Sequence, residues 1–91
     1  MKKKTSWEAF IRLMEQGAKQ GDLEALFNLF FTLEEKEMLM ARLQIIQALL
    51  EGKKTQRTIA KDLGVSISQI TRGSNALKSV SQAFLKSFRW R

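Results

Sequence analysis

The chain has 91 residues, a net charge of +7, and neither cysteine nor histidine. Disulfides, Cys/His zinc sites and catalysis by Cys or His are therefore excluded. A chain of this length is expected to form one domain with a limited core, which is marginally stable unless it associates with another copy. With 44% hydrophobic residues, it belongs to the folded globular class rather than to the disordered one.

The positive charge is concentrated in the second part of the sequence. Residues 1–51 hold seven basic and eight acidic side chains, whereas residues 52–91 hold nine basic side chains and one acidic side chain, Asp62. Such a field attracts polyphosphates and supplies an affinity for nucleic acids that salt weakens. No apolar run is long enough to span a bilayer, and no signal-like segment follows Lys2–Lys4. We expect a soluble, cytoplasmic protein.

Two amphipathic helices are predicted after a loose basic arm over Met1–Thr5. Apolar residues recur at helical spacing from about residue 6 to residue 19, and the step at Gln20–Asp22 ends this helix. Asp22 is the predicted cap of the second helix. That helix carries a dense apolar stripe, which we interpret as core or subunit interface rather than as a ligand site. The stripe comprises Leu23, Leu26, Phe27, Phe30 and Phe31.

The longest predicted helix follows Thr32 and ends at Glu51, before Gly52. Thr32 and Glu35 have the spacing of a capping box, and two adjacent apolar rows indicate a central helix with more than one neighbour. Arg42 projects between these rows, where an unpaired buried charge is costly. Two interpretations remain open: an internal ion pair, for example with Glu35, or a position at the edge of a ligand pocket.

The sequence pattern over residues 56–78 predicts a helix, a sharp turn and a second helix. Thr55 is placed to cap the first helix, and Gly64 stands where a left-handed turn residue is needed. Ser66 opens the second helix, with Gln69 at capping-box spacing. A short helix from about residue 80 is expected to follow, which gives about six helices and no strand.

The second helix of this pair has a face suited to DNA. Val65, Ile67 and Ile70 are candidates to pin it against the first helix. The side chains on or near a free face are short, polar or basic, namely Ser68, Gln69, Thr71 and Arg72. A helix with such a face fits the major groove of DNA. The same pattern also occurs in ordinary helical hairpins.

Gly73 is unusual because glycine inside a helix costs about 1 kcal/mol relative to alanine. It indicates either a close helix crossing or space for a flat molecule that approaches the backbone beside Arg72. The sequence has no phosphate-cradling glycine loop, no nucleophile motif and no carboxylate pair with compelling catalytic or metal-binding geometry. An enzyme is therefore not expected.

The stretch Ile-Thr-Arg-Gly-Ser-Asn-Ala-Leu-Lys over residues 70–78 resembles the signature of the bacterial tryptophan repressor family. The resemblance includes Thr55–Arg57, extends back through Leu29–Glu51 and covers roughly residues 25–79. It implies an all-α, intertwined homodimer with a helix-turn-helix in each subunit. Within one domain, residues 6–51 would form the dimerisation core, residues 55–78 the helix-turn-helix and residues 80–91 a short C-terminal helix. Both ends are shorter than usual, and the last helix is expected to be truncated.

The resemblance also implies that L-tryptophan is a corepressor bound between the core and the helix-turn-helix. By position, Arg42 and Arg72 would flank the indole ring, and Arg72 with Thr32 would hold the carboxylate. Gly73 would give the ring room. A ligand site of this kind would explain both unusual features of the sequence, the arginine on an apolar stripe and the glycine inside a helix.

The ammonium group of the ligand has its own implied partners. Backbone carbonyl groups of Leu29 and Phe31 from the other subunit would accept its hydrogen bonds. Ala76 stands where the best-known members of the family carry a serine whose hydroxyl helps to hold this group. The sequence departs from the family pattern at this point of the ligand site.

On the DNA side, Arg57 is the best candidate for a direct contact to guanine. Gln56 and Lys78 would hold phosphates, which position a protein on DNA without specifying sequence. The further candidates for DNA contacts are Ile67, Ser68, Gln69 and Thr71.

Three departures from the family pattern affect the DNA side. Ala60 replaces a DNA-contacting lysine, although Lys61 is adjacent. Ser66 and Ser68 replace smaller residues around the turn, which is expected to alter the operator preference.

The sequence thus predicts a transcriptional repressor that binds palindromic operator DNA with L-tryptophan as corepressor and with no metal. An alternative is a regulator of the same fold that responds to a different small molecule or to none, and Ala76 keeps this alternative open. A third possibility is a basic helical module that binds RNA or another protein.

Overall fold

The computed structural model describes residues 3–90, with side chains from Ser6 onward, so that Met1, Lys2 and Arg91 lie outside the described residues. Within this range six helices and no strand are present, which confirms the predicted all-α class. The helices are α1 (Lys3–Gln20), α2 (Leu23–Phe30), α3 (Leu33–Glu51), α4 (Gln56–Leu63), α5 (Ile67–Lys78) and α6 (Gln82–Lys86). The chain divides into two compact units, Met1–Glu35 and Lys36–Arg91.

The first unit is built on the pair of helices α1 and α2, which approach closely at a glycine. Gly17 is buried, and a Cβ atom at this position would overlap the side chain of Leu26. Aromatic rings extend the contact: Phe10 meets Phe30 edge-on with ring centroids 5.3 Å apart, and Trp7 stacks on Phe10 at 5.7 Å. Leu26 and Phe30, two members of the predicted apolar stripe, therefore pack inside this unit.

Thr32 and Glu35 form the predicted capping box at the start of α3. The Glu35 carboxylate accepts a hydrogen bond from the Thr32 backbone N–H at 2.8 Å, and Thr32 Oγ1 accepts one from the Glu35 backbone N–H at 3.1 Å. These bonds satisfy two donors that a helix start otherwise leaves unpaired. The predicted end of the helix is also confirmed, since Gly52 has a left-handed φ of 66°.

Three helix ends differ from the predictions. α1 begins at Lys3, so residues 3–5 of the predicted loose arm are helical. Asp22 precedes α2, but its side chain makes no capping bond, because its φ of −112° and ψ of 17° depart from the extended conformation that an N-cap requires. α6 begins only at Gln82, because Ser81 caps it by accepting from the Phe84 backbone N–H at 3.0 Å.

The core of the second unit lies where α3, α4 and α5 meet. Ile45, Ile59 and Ile70 are almost fully buried there, and Ala60 joins them. Burial of branched side chains from three successive helices holds α4 and α5 against α3. Ile67 was also a candidate for this packing, but it lies outside the cluster and is 49% exposed. The remaining contacts come from partly buried neighbours, namely Ala48, Leu49, Leu63 and Val65.

Trp90 anchors the C-terminal segment to the rest of the second unit. Its indole N–H donates to the Leu85 carbonyl oxygen at 2.8 Å, and the Gln47 side-chain amide donates to the Trp90 carbonyl oxygen. The rings of Phe84, Phe88 and Trp90 also pack in succession, with centroids 5.0 and 5.8 Å apart. The segment after α6 is therefore tied to α3.

Large apolar side chains remain exposed in both units. Leu29 and Leu33 in the first unit are 74% and 67% exposed, and Met38 in the second is 66% exposed. Exposed apolar side chains of this size gain stability when a partner buries them. None of the helices in residues 3–90 is both long enough and apolar enough to cross a membrane.

Candidate nucleic-acid interface and ligand site

Gly64 sets the turn between α4 and α5. Its φ of 67° and ψ of 35° are left-handed, the conformation that glycine adopts without steric cost. The Val65 backbone N–H donates to the Ala60 carbonyl oxygen at 3.0 Å, and the Gly64 N–H donates to the Lys61 carbonyl oxygen at 3.3 Å. This is the hydrogen-bond pattern of a Schellman motif, which ends α4 and reverses the chain.

Both helices of this pair begin at the predicted caps. Thr55 Oγ1 accepts from the Thr58 backbone N–H at 3.1 Å at the start of α4. At the start of α5, Ser66 Oγ accepts from the Gln69 N–H at 3.2 Å, and Gln69 Oε1 accepts from the Ser66 N–H at 2.9 Å. The capping box defines the first turn of α5 and therefore where its exposed side chains stand.

The candidate DNA-binding side chains lie in α4 and α5, and all of them are exposed except the half-buried Gln69. They are Gln56, Arg57, Ile67, Ser68, Gln69, Thr71 and Lys78. Arg57 and Lys78 form no hydrogen bond or ion pair with other residues in the described part of the chain. The Thr71 hydroxyl, in contrast, donates to the Ile67 carbonyl oxygen at 3.1 Å. Ala60, where the family carries a DNA-contacting lysine, is buried in the core.

Asp62, the one acidic residue of the basic part, is paired with Lys54 through an Nζ–Oδ2 contact of 2.6 Å. Both side chains are about half exposed, so that the pair adds little to stability. It neutralises the single negative side chain of α4. The sequence did not predict this pair, because a separation of eight residues across a linker carries no periodic signal.

α3 and α5 cross closely at Gly73, beside Arg42. A Cβ atom at Gly73 would lie 2.7 Å from Ile45 Cγ2 and 3.8 Å from Arg42 Cδ. The close helix crossing inferred from the glycine is therefore confirmed, and the aliphatic part of Arg42 passes next to it. Space for a flat molecule at this place stays a prediction.

Arg42 is half-buried, and Arg72 is exposed. Neither guanidinium forms a hydrogen bond or an ion pair with the side chains of residues 6–90 or with the backbone of residues 3–90. Glu35, the ion-pair partner considered for Arg42, instead accepts from the Thr32 backbone. Two guanidinium groups in this unit therefore have no polar partner among the described residues.

The other candidate ligand residues are divided between the two units. In the first unit, Thr32 is exposed and caps α3, Leu29 is exposed, and Phe31 is half-buried with its ring 5.6 Å from that of Phe27. In the second unit, Ala76 is half-buried on α5. Their assignment to a common ligand site stays a prediction.

We expect Gly73→Ala to lower the free energy of unfolding by about 1 kcal/mol. Ile45 is 1% exposed and cannot move its methyl group freely, and overpacking of this kind costs about 1–3 kcal/mol. The higher helix propensity of alanine returns about 1 kcal/mol. Urea denaturation followed by circular dichroism measures the difference. Asn75→Ala, at an exposed site on the same helix, should be neutral or stabilising, and a Gly73 variant that matches it would contradict the close crossing.

The second unit therefore contains two helices joined by a glycine turn, with exposed polar and basic side chains along the second helix. Residues 52–91, which include this pair, contain nine basic side chains and one acidic side chain. Within residues 3–90, no three acidic side chains are grouped so that they could hold a metal ion. The fold and the site define a DNA-binding protein of the helix-turn-helix class.

Comparisons with known proteins specify this class further. The family described as "Trp repressor protein" matches residues 5–89. A "Trp operon repressor homolog" of Chlamydia trachomatis serovar D is 49% identical over 80 residues, which cover 88% of this chain and 85% of the relative. A protein of the same name from Vibrio cholerae is 42% identical over 78 residues, which cover 86% and 76%. The chain belongs to the Trp repressor family, whose members are DNA-binding regulators of transcription and not enzymes.

Proposed function

We propose that this transcriptional repressor binds palindromic operator DNA as a homodimer and that L-tryptophan is its corepressor. The observation that carries the proposal is the pair of guanidinium groups, Arg42 and Arg72, that keep their donors, with Arg42 beside Gly73. A planar guanidinium stacks on aromatic faces and also pairs with carboxylates. L-tryptophan offers both groups in one molecule. The name of the relatives, "Trp operon repressor homolog", supports the same ligand.

In this proposal each end of the ligand has its own partners. Arg42 and Arg72 flank the indole ring, and Arg72 with Thr32 binds the carboxylate. The ammonium group donates to backbone carbonyl groups of Leu29 and Phe31 from the second subunit. A ligand held in this way needs two copies of the chain for each site.

The homodimer is supported by the exposed apolar side chains of both units, among them Leu29, Leu33 and Met38. A small domain that exposes such groups gains stability when a second copy buries them. We assign residues 6–51 to the dimerisation core, residues 55–78 to the helix-turn-helix and residues 80–91 to the C-terminal segment of a single domain. Chromosomal DNA as the target implies that the protein acts in the cytoplasm.

At the DNA, Arg57 contacts guanine in the major groove, and Gln56 and Lys78 bind phosphates. L-tryptophan acts by favouring the spacing of the two helix-turn-helix units that matches successive major grooves of a palindrome. A ligand shifts such an equilibrium only by its difference in affinity between the two arrangements. Binding of the ligand and binding of the DNA are therefore coupled.

A direct test combines titration calorimetry with DNA binding. We expect about one L-tryptophan per subunit, and tighter binding of promoter DNA, followed by fluorescence anisotropy, when L-tryptophan is present. Sedimentation of the same sample should give a dimer. A monomer, or equal DNA affinity with and without L-tryptophan, would contradict the proposal.

A second candidate is a repressor of the same fold that responds to another small molecule or to none. Ala76 favours it, because this half-buried residue on α5 has no hydroxyl group with which to hold an ammonium group. Titrating indoles that lack the amino group, and other amino acids, separates the two candidates. Tighter binding of an indole without the amino group than of L-tryptophan would favour the second.

A further inference from the structure

We propose that Ser68 determines operator specificity as a hydrogen-bond acceptor, so that, on the strand that it faces, it selects adenine or cytosine, whose amino groups donate, over guanine or thymine, which only accept there. The inference rests on the proposed operator binding and adds the class of base that one side chain recognises. It follows from how three polar side chains at the start of α5 share their hydrogen atoms.

The three side chains are those of Ser66, Ser68 and Gln69. Ser66 Oγ lies 3.0 Å from Ser68 Oγ and 3.3 Å from Gln69 Oε1, and it also accepts from the Gln69 backbone N–H at 3.2 Å. The Ser66 backbone N–H donates to Gln69 at 2.9 Å. Because this partner is a donor, the atom of the Gln69 amide that faces it must be the oxygen and not the nitrogen.

A count of hydrogen atoms then favours one direction for each bond. The Gln69 oxygen accepts only, so the contact with Ser66 Oγ requires the Ser66 hydroxyl to donate to it. Ser66 Oγ has no second hydrogen, so the bond between the two serines requires the Ser68 hydroxyl to donate to Ser66. In the opposite arrangement, Ser66 would donate to Ser68, and lone pairs of Ser66 Oγ and Gln69 Oε1 would face each other at 3.3 Å.

In the arrangement that satisfies every contact, Ser68 has given its one hydrogen to Ser66 and offers only lone pairs outward. Ser68 is exposed in the first turn of α5, among the candidate base-contacting residues. In the major groove, adenine N6 and cytosine N4 donate hydrogen bonds, whereas guanine N7 and O6 and thymine O4 only accept. An unconstrained serine hydroxyl can meet either kind of group. Because its hydrogen is used in the bond to Ser66, Ser68 can bind only the base groups that donate, adenine N6 and cytosine N4.

Ser66 and Gln69 are positioning residues in this scheme. The oxygen of Gln69 is used by the capping box, so Gln69 does not make the two-bond contact to adenine that a free glutamine makes. Its influence on sequence preference passes through Ser66 to Ser68. Replacing either residue should change which bases Ser68 tolerates without removing the Ser68 hydroxyl.

The test is selection of binding sites from randomised palindromic duplexes, with the full chain and saturating L-tryptophan, followed by affinity measurements on single-base variants. At one position of one strand of each half-site, we expect the wild type to bind both the adenine duplex and the cytosine duplex more tightly than the guanine and thymine duplexes. In Ser68→Ala, the ratio of affinities between the preferred and the other bases should fall by roughly 2- to 12-fold, which corresponds to the loss of one hydrogen bond. Ser66→Ala and Gln69→Ala should broaden the preference to guanine and thymine, because each leaves the Ser68 hydroxyl free to donate.

One variant controls for other effects. Ser81→Ala removes a serine N-cap of the same type from α6 and should leave the preferences unchanged. Base ratios at one salt concentration cancel any uniform loss of affinity or of folded protein.

The outcomes separate the inference from the proposed function. A wild-type protein that selects no sequence overturns the operator binding and the inference with it. Selection of a site whose preferences are the same in Ser68→Ala overturns the inference alone, and so does a Ser68-dependent preference that does not separate adenine and cytosine from guanine and thymine on one strand. Unchanged preferences in Ser66→Ala and Gln69→Ala would also overturn it, since Ser68 would then act without the restriction.

Discussion

Replacing Arg72 by alanine is expected to abolish both the heat of L-tryptophan binding and ligand-dependent binding to operator DNA. A hydrogen bond between charged groups is worth about 1.5–3 kcal/mol, so loss of the carboxylate contact alone weakens binding by about 10- to 150-fold. Loss of stacking on the indole ring adds to this effect. Because Arg72 is exposed and has no partner in the described structure, its removal should leave the fold intact. Calorimetry and anisotropy measure the two losses separately.

Two further variants sharpen this test. Arg72→Lys keeps the charge but not the planar fork, so it should recover only part of the affinity. Arg12→Ala removes an exposed arginine from α1 and should not change the heat of binding. Ligand-dependent repression retained by Arg72→Ala would refute the assignment of the corepressor site.

Ile70→Ala is expected to lower the free energy of unfolding by about 2–5 kcal/mol. Ile70 is 0% exposed, and truncating a buried isoleucine removes apolar contacts and leaves a cavity. Small domains are stable by only about 5–15 kcal/mol, so this loss is a large fraction of the total. Urea denaturation monitored by circular dichroism gives the change, provided that both proteins are compared at one concentration.

Ile67→Ala is the matched control, since it makes the same truncation on the same helix at a side chain that is 49% exposed. We expect it to cost less than about 1 kcal/mol. Its effect should instead fall on DNA affinity, where Ile67 is a candidate contact. Equal losses of stability in the two variants would show that the buried cluster does not hold α5 in place.

The local features of the fold could be predicted from the sequence because their causes lie within a few residues. The left-handed Gly64 and the capping boxes that start at Thr32 and Ser66 depend on neighbours three or four positions away. Asp22 had the right residue type, but its side chain does not cap α2, since the backbone there is not extended. Residue type alone does not determine the backbone angles of a helix start.

Features that join distant parts of the chain were not predictable in the same way. Periodicity identified Arg42 as out of place on α3 but could not tell whether Glu35 would pair with it. The contact of Trp90 with Gln47 spans 43 residues and leaves no pattern in the sequence. The hydrogen sharing between Ser66 and Ser68 needed the positions of their oxygen atoms, although the capping-box spacing already placed Ser66 at the helix start.

The position of Trp90 gives the protein two separate optical reporters. The chain has two tryptophans: Trp7 is in the first compact unit and is largely exposed, whereas Trp90 is in the second, half-buried, with a hydrogen-bonded indole. Their emission should therefore differ in wavelength. Trp7→Phe and Trp90→Phe proteins each retain one fluorophore, so melting of the two units can be recorded independently. Since L-tryptophan fluoresces in the same region, such recordings belong to the ligand-free protein.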